Sequence, residues 1–240
     1  MPGSLKTEAI VLRGIKYGEA DRILHLYTPD RGRVSAIAKG VRRAKSRFGG
    51  RLEPFFSLNL VLYQGKSDLM TVTSAETLAG HPRLREHGPS LDGAARACDA
   101  VSRMFGEGEP HRGVYHLLAN QLALLDRAPE RATRATALAF RLKLLLAAGF
   151  APHLASCASC GEPEHLVGFS GAAGGVVCGA CEAGSFALSQ EGHDFLVAAL
   201  GRPLAETPDA EPPALAQADR AISETLEHHA HVRLRGVGSR

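Results

Sequence analysis

Long apolar segments are missing from this sequence. The longest apolar stretch, residues 142–151, is interrupted by Lys143, whereas a membrane-spanning helix needs about 20 consecutive apolar residues. The first thirteen residues also lack the apolar segment and small-residue cleavage site of a secretory leader. We therefore expect a soluble protein that is neither inserted in a membrane nor secreted.

The common signatures of catalytic centres are also absent. The sequence contains no GxSxG, HExxH or Walker-type GxxxxGKS/T motif, and its 11 histidines are spread along the chain. Nuclease or deaminase chemistry needs clustered carboxylates or an open metal site, but the acids of the N-terminal region are scattered. The sequence therefore predicts a protein without catalytic activity, and no residue is nominated as catalytic.

Four of the five cysteines form two CxxC pairs, Cys157/Cys160 and Cys178/Cys181, with seventeen residues between the pairs. This spacing is typical of a tetrahedral four-cysteine zinc site, in which sulfur fills every position and leaves none for a substrate. We therefore predict one structural Zn²⁺ ion. The alternatives are two disulfides or a redox pair, which need an oxidising compartment or a thioredoxin-like context, and neither is evident. The fifth cysteine, Cys98, is expected in a helical core.

Positive charge is concentrated at the start of the chain. Residues 1–51 contain twelve lysines and arginines against four acids, and eight of the twelve fall between Arg31 and Arg51. Because such a density is self-repulsive unless an anion neutralises it, we expect this region to meet a polyanion. The alternative is a solvated charged face. The remainder of the chain is acidic and is expected to pack or to recruit partners.

Five short strands are predicted in the first eighty residues, where β-forming residues alternate with glycine and proline turns. They cover residues 8–13, 22–28, 33–39, 55–63 and 69–74. In the fourth strand, Phe56, Leu58, Leu60 and Leu62 share one face, as expected for a half-buried strand. Five strands match a small oligonucleotide-binding (OB) barrel better than a two-sheet sandwich, which usually needs about seven.

From Leu91 onward the apolar residues recur at helical spacing. Residues 136–148 predict a buried helix, and Ser189 is predicted to cap a helix that ends at Gly201. The cysteine lobe, residues 157–184, has too little hydrophobic bulk to fold without metal. The predicted fold is α+β with two domains: an OB-fold barrel over residues 1–80, and an all-α domain over residues 81–240 with the zinc finger inserted.

The connection between the third and fourth strands is the predicted DNA-binding segment, because dense cations suit phosphates and its glycines allow close approach of a strand. Two further loops, residues 14–21 and 65–67, are predicted to grip ligand. Phe48 is expected to be exposed for base stacking together with Tyr17, while Tyr27 is expected in the core. The candidate DNA-binding residues are Lys39, Arg42, Arg43, Lys45, Arg47, Arg51, Arg13, Lys16 and Phe48.

Several ordered motifs resemble the RecO family of bacterial recombination mediators. In the N-terminal region these motifs are Thr7-Glu-Ala-Ile-Val-Leu-Arg13, Tyr17-Gly-Glu-Ala-Asp-Arg-Ile23, Lys39-Gly-Val-Arg-Arg43 and Leu52-Glu-Pro-Phe55. Further along, Arg141-Leu-Lys-Leu-Leu-Leu and Gly149-Phe-Ala-Pro152, followed by CxxC, are similar to the family's helical segment before its zinc lobe. The resemblance spans most of the chain, and the motifs are specific in combination.

The resemblance implies an OB barrel and a helical domain with a zinc finger. It further implies a mediator that binds single- and double-stranded DNA and anneals complementary strands. Such a mediator helps RecR load recombinase onto DNA coated with single-strand-binding protein, in the cytoplasm at the nucleoid. The positions that match the family are Lys39, Arg42, Arg43, Lys45 and Arg47 for DNA, and Cys157, Cys160, Cys178 and Cys181 for zinc.

Two other functions are consistent with parts of the pattern. One is an RNA-processing enzyme in which the barrel delivers substrate and a zinc ribbon is structural, although no cluster of acid, base or nucleophile supports it. The other is an assembly adaptor whose acidic helical part is the working surface. Binding to unpaired DNA and to RNA distinguishes them, because a mediator prefers or equals DNA, an RNA enzyme favours structured RNA, and an adaptor binds neither.

Overall fold

The computed structural model describes residues 3–65, 69–234 and 236. The chain divides into two compact units, Met1–Pro129 and Glu130–Arg240. Among the helices in the described ranges, none combines the length and apolarity needed to cross a membrane. Of the ligand loop predicted at residues 65–67, Lys66 and Ser67 lie outside the described residues.

The first unit is built on a closed five-stranded barrel. The strands are β1 (Gly3–Tyr17), β2 (Asp21–Thr28), β3 (Gly32–Ala38), β4 (Ser57–Gln64) and β5 (Met70–Ala79). Their order around the barrel is β1-β2-β3-β5-β4, and all neighbouring pairs are antiparallel except β3 and β5. The predicted OB-type barrel is therefore confirmed.

Strand β1 closes the barrel because it is long enough to border two neighbours. Its residues from Gly3 to Ile10 pair with β4, and those from Ile10 to Tyr17 pair with β2. The register shifts between Val11 and Arg13, and a bulge of this kind bends a strand. The sequence predicted only residues 8–13 of β1, since the flanking residues are largely exposed and show no clear alternation of apolar side chains.

The inner faces of the strands form the barrel core. In β4, Leu58, Leu60 and Leu62 are buried while Asn59 and Tyr63 are exposed, which confirms the alternation read from the sequence. Tyr27 is fully buried, as predicted, but it lies outside the barrel core cluster, and its ring makes an edge contact with Phe105 at 6.3 Å between centroids. The core cluster consists of Ala9, Val11, Leu24, Leu26, Val34, Ala36, Ala38, Phe48, Leu52, Leu58, Leu60, Leu62, Met70 and Val72.

The prediction that Phe48 is exposed is wrong. Its ring is 2% exposed and belongs to the barrel core together with Leu52. The guanidinium of Arg47 lies over the ring, 4.7 Å from its centroid. Burial of a phenyl ring removes more apolar area from water than any other side chain of this segment could, and this outweighs the polar character of its neighbours.

Three helices accompany the barrel in the first unit: α1 (Pro82–Glu86), α2 (Gly88–Met104) and α3 (Arg112–Arg127). Tyr115 on α3 donates a hydrogen bond to the carboxylate of Glu8 on β1 at 3.0 Å, and Cys98 is buried on α2, as predicted. The boundary predicted between residues 80 and 81 coincides with the end of β5, whereas the compact unit continues to Pro129.

The second unit contains three longer helices and a small sheet. The helices are α4 (Arg134–Ala147), α5 (Gln190–Gly201) and α6 (Pro212–Thr225), and the strands are β6 (Leu166–Ser170), β7 (Gly175–Cys178) and β8 (Phe186–Ala187). The side chain of Ser189 caps α5 by accepting from the Gly192 N–H, which confirms the prediction. The sheet, in the order β7-β6-β8, was not predicted, because its strands are only two to five residues long.

Replacing Phe48 by Ala is expected to destabilise the first unit by about 3 to 5 kcal/mol, because it leaves a cavity in the barrel core. Tyr17→Ala is the matched control, since that ring is 53% exposed, and we expect it to change stability by less than about 0.5 kcal/mol. Chemical denaturation followed by circular dichroism measures both. Equal unfolding midpoints for the two variants would contradict the core position of Phe48.

Candidate nucleic-acid interface and metal centre

A cationic segment crosses from β3 to β4 without forming a helix or strand. We call residues 39–51 the basic loop. Its lysine and arginine side chains are all exposed, and none forms an ion pair with a carboxylate in the described part of the chain. These residues are Lys39, Arg42, Arg43, Lys45, Arg47 and Arg51. Six such cations on one short loop make a surface of high positive potential.

The start of the basic loop is held by the turn between β1 and β2. The Gly40 N–H donates to the Asp21 carboxylate at 2.7 Å, and the Arg42 N–H donates to the Ala20 carbonyl at 2.9 Å. The guanidinium of Arg42 donates to the Glu19 carbonyl at 3.2 Å. The prediction of a loop at residues 14–21 is therefore corrected: residues 14–17 belong to β1 and Asp21 to β2, and the turn between them contacts the basic loop.

The segment that follows the basic loop is fixed by two arginines of the barrel unit. Arg22 forms a 2.7 Å ion pair with Glu53. Arg85 donates to the Pro54 carbonyl and stacks on the Phe56 ring, 4.6 Å from its centroid. These contacts account for the Leu52-Glu-Pro-Phe55 motif, in which Leu52 itself is buried. Arg85 was not nominated from the sequence, because Pro54 is 31 residues away along the chain.

The middle of the basic loop is held by the buried side chain of Phe48, and its end by that of the next residue, Leu52. Arg47 donates to the Val72 carbonyl at 3.4 Å, and Arg51 donates to the Phe48 carbonyl at 3.5 Å. For the side chains of Lys39, Arg43 and Lys45, the described residues offer no hydrogen bond or ion pair. With its apolar side chains inside, the loop directs its cations to solvent.

The remaining predicted residues lie on the second half of β1. Arg13 and Tyr17 are both exposed and share one face of the strand, because residues that differ by an even number point the same way. Lys16 lies on the opposite face, where its cross-strand partner is Arg22. Tyr17 is therefore the exposed aromatic beside the β1–β2 turn, and it offers the stacking face that Phe48 does not.

A histidine on β2 lies beside Arg13 and was not nominated from the sequence. The Nε2 atom of His25 is 3.4 Å from an Arg13 nitrogen, and its Nδ1 atom is 3.3 Å from the Ser35 hydroxyl. Burial, followed by the charges of Arg13 and Arg33, lowers the pKa of His25, while Glu107 opposes this. The lowered pKa favours the neutral imidazole, so His25 contributes less positive charge to this surface than an ordinary histidine would.

The four paired cysteines meet in the second unit. Their sulfur atoms all lie within 4.8 Å of one another, and the Cys160 and Cys178 sulfurs are 3.6 Å apart. A tetrahedral zinc ion with Zn–S bonds of about 2.3 Å holds its sulfurs about 3.8 Å apart. The donor set therefore fits a metal ion that prefers thiolates. The cysteines are Cys157, Cys160, Cys178 and Cys181.

The two CxxC segments are brought together by backbone pairing. His153 forms a parallel bridge with Gly175 at the edge of β7, and the Ala158 N–H donates to the Val176 carbonyl at 2.8 Å. A Cβ atom on Gly175 would lie 2.2 Å from the His153 carbonyl oxygen, so only glycine allows this approach. The first CxxC segment thus lies against the strand that ends in Cys178.

Backbone N–H groups favour the ionised form of one thiol. The hydrogen bond from the Cys178 N–H is the main cause that lowers the pKa of Cys157 to about 6, while burial opposes it and the N–H groups of Cys160 and Ser159 add to it. The thiolate, and not the thiol, is the metal ligand. Cys157 is therefore the thiol of the cluster whose ionisation is favoured, whereas a hydrogen bond with Cys160 is the main cause that raises the pKa of Cys181 to about 12.

Together these features are typical of nucleic-acid-binding proteins that contain a structural metal site. An OB-type barrel with a cationic surface is the arrangement by which many proteins bind single-stranded nucleic acid, and a closed four-thiolate lobe is typical of a structural metal site.

Comparison with known proteins gives the family. The family model described as Recombination protein O N terminal matches residues 1–81, and that described as Recombination protein O C terminal matches residues 88–236. The chain therefore belongs to the RecO family of recombination and DNA repair proteins, which confirms the resemblance seen in the sequence.

Three relatives named DNA repair protein RecO illustrate the similarity. The Rubrobacter xylanophilus protein is 43% identical over 178 residues, which cover 73% of this chain and 71% of the relative. The Anaeromyxobacter dehalogenans strain 2CP-C protein is 38% identical over 246 residues, which cover 96% of this chain and 93% of the relative. The Streptomyces griseus protein is 36% identical over 240 residues, which cover 97% of this chain and 96% of the relative.

Replacing Cys157 by Ser is expected to abolish metal binding, because a tetrahedral site loses one of its four thiolates. Native mass spectrometry should show one metal ion per wild-type chain and none in the variant, with lower thermal stability of the second unit. The control is Cys98→Ala, which removes a thiol of the other unit and should keep the metal. A metal-free wild-type protein that is fully folded would contradict this assignment.

Proposed function

We propose that this chain is a non-enzymatic mediator of recombinational DNA repair, which binds single- and double-stranded DNA and anneals complementary strands. The observation that carries the proposal is the basic loop, whose six cations are exposed and lack carboxylate partners among the described residues. A loop with this charge suits the regularly spaced phosphates of a polynucleotide. Membership of the RecO family adds support.

The proposed DNA surface combines the basic loop with the exposed end of β1. Arg13 and, on the opposite face of β1, Lys16 add two further cations. Tyr17, on the face of Arg13, supplies a stacking surface for one unpaired base, a contact worth about 1 to 3 kcal/mol in proteins of this kind. Phe48 is not part of it, because its ring lies in the core. The proposed phosphate contacts are Lys39, Arg42, Arg43, Lys45, Arg47, Arg51, Arg13 and Lys16.

Annealing follows from the same electrostatics. Two single strands repel each other through their phosphates, so a surface that neutralises both lowers the cost of bringing them together. Because the loop recognises charge rather than base edges, strands of any sequence can pair on it. No group on the surface needs to transfer a proton or break a bond.

We further propose the cofactor, partners and location of the family for this chain. The cofactor is one Zn²⁺ ion, held by Cys157, Cys160, Cys178 and Cys181, which would stabilise a lobe in which Cys157 and Cys178 share a small buried cluster with Val177. The partners are RecR and single-strand-binding protein, and the site of action is chromosomal DNA in the cytoplasm. Family membership supports these partners, and no described residue is assigned to them.

The affinity for single-stranded DNA should depend steeply on salt, with log affinity falling by about 0.7 per neutralised phosphate for each unit of log salt concentration. Replacing Arg42, Arg43 and Lys45 together by Ala is expected to weaken binding at least about tenfold and to reduce this slope by about 2. Fluorescence anisotropy with short unpaired DNA measures both quantities.

The matched control removes the same net charge from the helices of the same unit. Arg96, Arg103 and Arg112 are each paired with an aspartate, so their replacement by Ala should change the slope much less. An unchanged slope in the first triple variant would remove the basic loop from the DNA site. Preference for structured RNA over DNA would instead favour an RNA-processing protein.

Annealing itself is expected to slow in the same triple variant, because charge on the loop brings the strands together. The measurement is the rate at which a fluorescent strand pairs with its complement, both bare and coated with single-strand-binding protein. The paired-arginine control should anneal at the wild-type rate. Wild-type protein that binds DNA but does not accelerate pairing would restrict the proposal to DNA binding.

A further inference from the structure

One carboxylate lies against the basic loop, where its charge opposes DNA binding. Asp21 is partly buried at the start of β2 and forms no ion pair in the described ranges. A negative charge beside six cations repels an approaching phosphate and lowers the potential that attracts it. Attraction of DNA therefore does not explain why the Asp21 carboxylate lies beside the basic loop.

The contacts of Asp21 are made with the loop backbone. Its carboxylate accepts a short hydrogen bond of 2.7 Å from the Gly40 N–H. Gly40 has a left-handed backbone conformation, with φ of 66°, and its carbonyl accepts from the Arg43 N–H at 3.2 Å. A hydrogen bond between an ionised acceptor and a backbone N–H is stronger than a neutral one. Asp21 thus fixes the turn from which Arg42 and Arg43 project.

We infer that Asp21 is a positioning residue for DNA binding: its carboxylate holds the Gly40 turn so that the basic loop presents its cations in a fixed arrangement. The inference rests on the proposed function. A fixed loop binds more tightly than a mobile one, because less conformational entropy is lost on binding. The benefit comes from the acceptor oxygen, whose charge strengthens the hydrogen bond to Gly40 but also repels phosphate.

Three substitutions separate the oxygen from the charge. Asp21→Ala removes both, Asp21→Asn keeps an acceptor oxygen and removes the charge, and Glu19→Gln removes only the charge of an exposed residue in the same turn. If Asp21 positions the loop, D21A should bind single-stranded DNA about three- to tenfold more weakly than wild type. D21N and E19Q should bind equally or about two- to threefold more tightly. Fluorescence anisotropy at fixed salt measures all four proteins.

If the charge of Asp21 alone affected binding, D21A and D21N would both bind DNA more tightly than wild type, because both lack that charge. D21A that binds at least as tightly as D21N would therefore overturn the inference. Asp21→Glu tests the same point in case D21A does not fold, because it keeps the charge but moves the oxygen by one methylene. Weaker binding by D21E supports positioning, and unchanged binding contradicts it.

Hydrogen exchange of the Gly40 amide is a second readout that needs no DNA. The amide should exchange faster in D21A than in wild type and should remain protected in D21N, with unfolding midpoints that are the same in both variants. Equal protection in D21A and D21N would overturn the inference. If the wild-type protein itself fails to bind DNA, the proposed function is wrong, whereas the exchange result still decides whether Asp21 holds the turn.

Discussion

The burial of Phe48 and Leu52 in the barrel is the interaction on which the cationic surface depends. The basic loop has no helix or strand of its own, and its six like charges repel one another. Each buried side chain of this size contributes about 1.5 to 3 kcal/mol through the hydrophobic effect, which offsets that repulsion. Because the apolar side chains enter the core, the lysine and arginine side chains of the loop are exposed to solvent.

Two carboxylates near the loop, Asp21 and Glu53, serve its structure, and among the described residues neither forms an ion pair with one of its cations. Glu53 is paired with Arg22, a residue outside the loop, and Asp21 accepts from a backbone N–H. Neither neutralises a cation that is proposed to meet phosphate. This division explains how a segment with one dominant sign of charge keeps a defined shape and still has a strong field for a polyanion.

The barrel and the cysteine lobe differ in the origin of their stability. The barrel buries a large cluster of leucines, valines and alanines together with Phe48, whereas the cysteine lobe has a small apolar cluster of which two members are cysteines. Such a lobe gains its stability from metal ligation if four thiolates are bound.

The sequence by itself determined the elements whose signals are local. The alternation in β4, the helix over residues 136–148, the Ser189 cap and the CxxC spacing all depend on neighbours a few residues apart, and the structure agrees with each. Only the tertiary structure decided that Phe48 turns inward while Tyr17 stays exposed. It also decided that Asp21 holds the start of the basic loop and that Arg22 and Arg85 hold the segment after it. The contacts behind these outcomes join residues 19 to 31 positions apart. Composition and periodicity describe only near neighbours in the sequence, so they carry no information on contacts that form when distant segments meet in the folded chain.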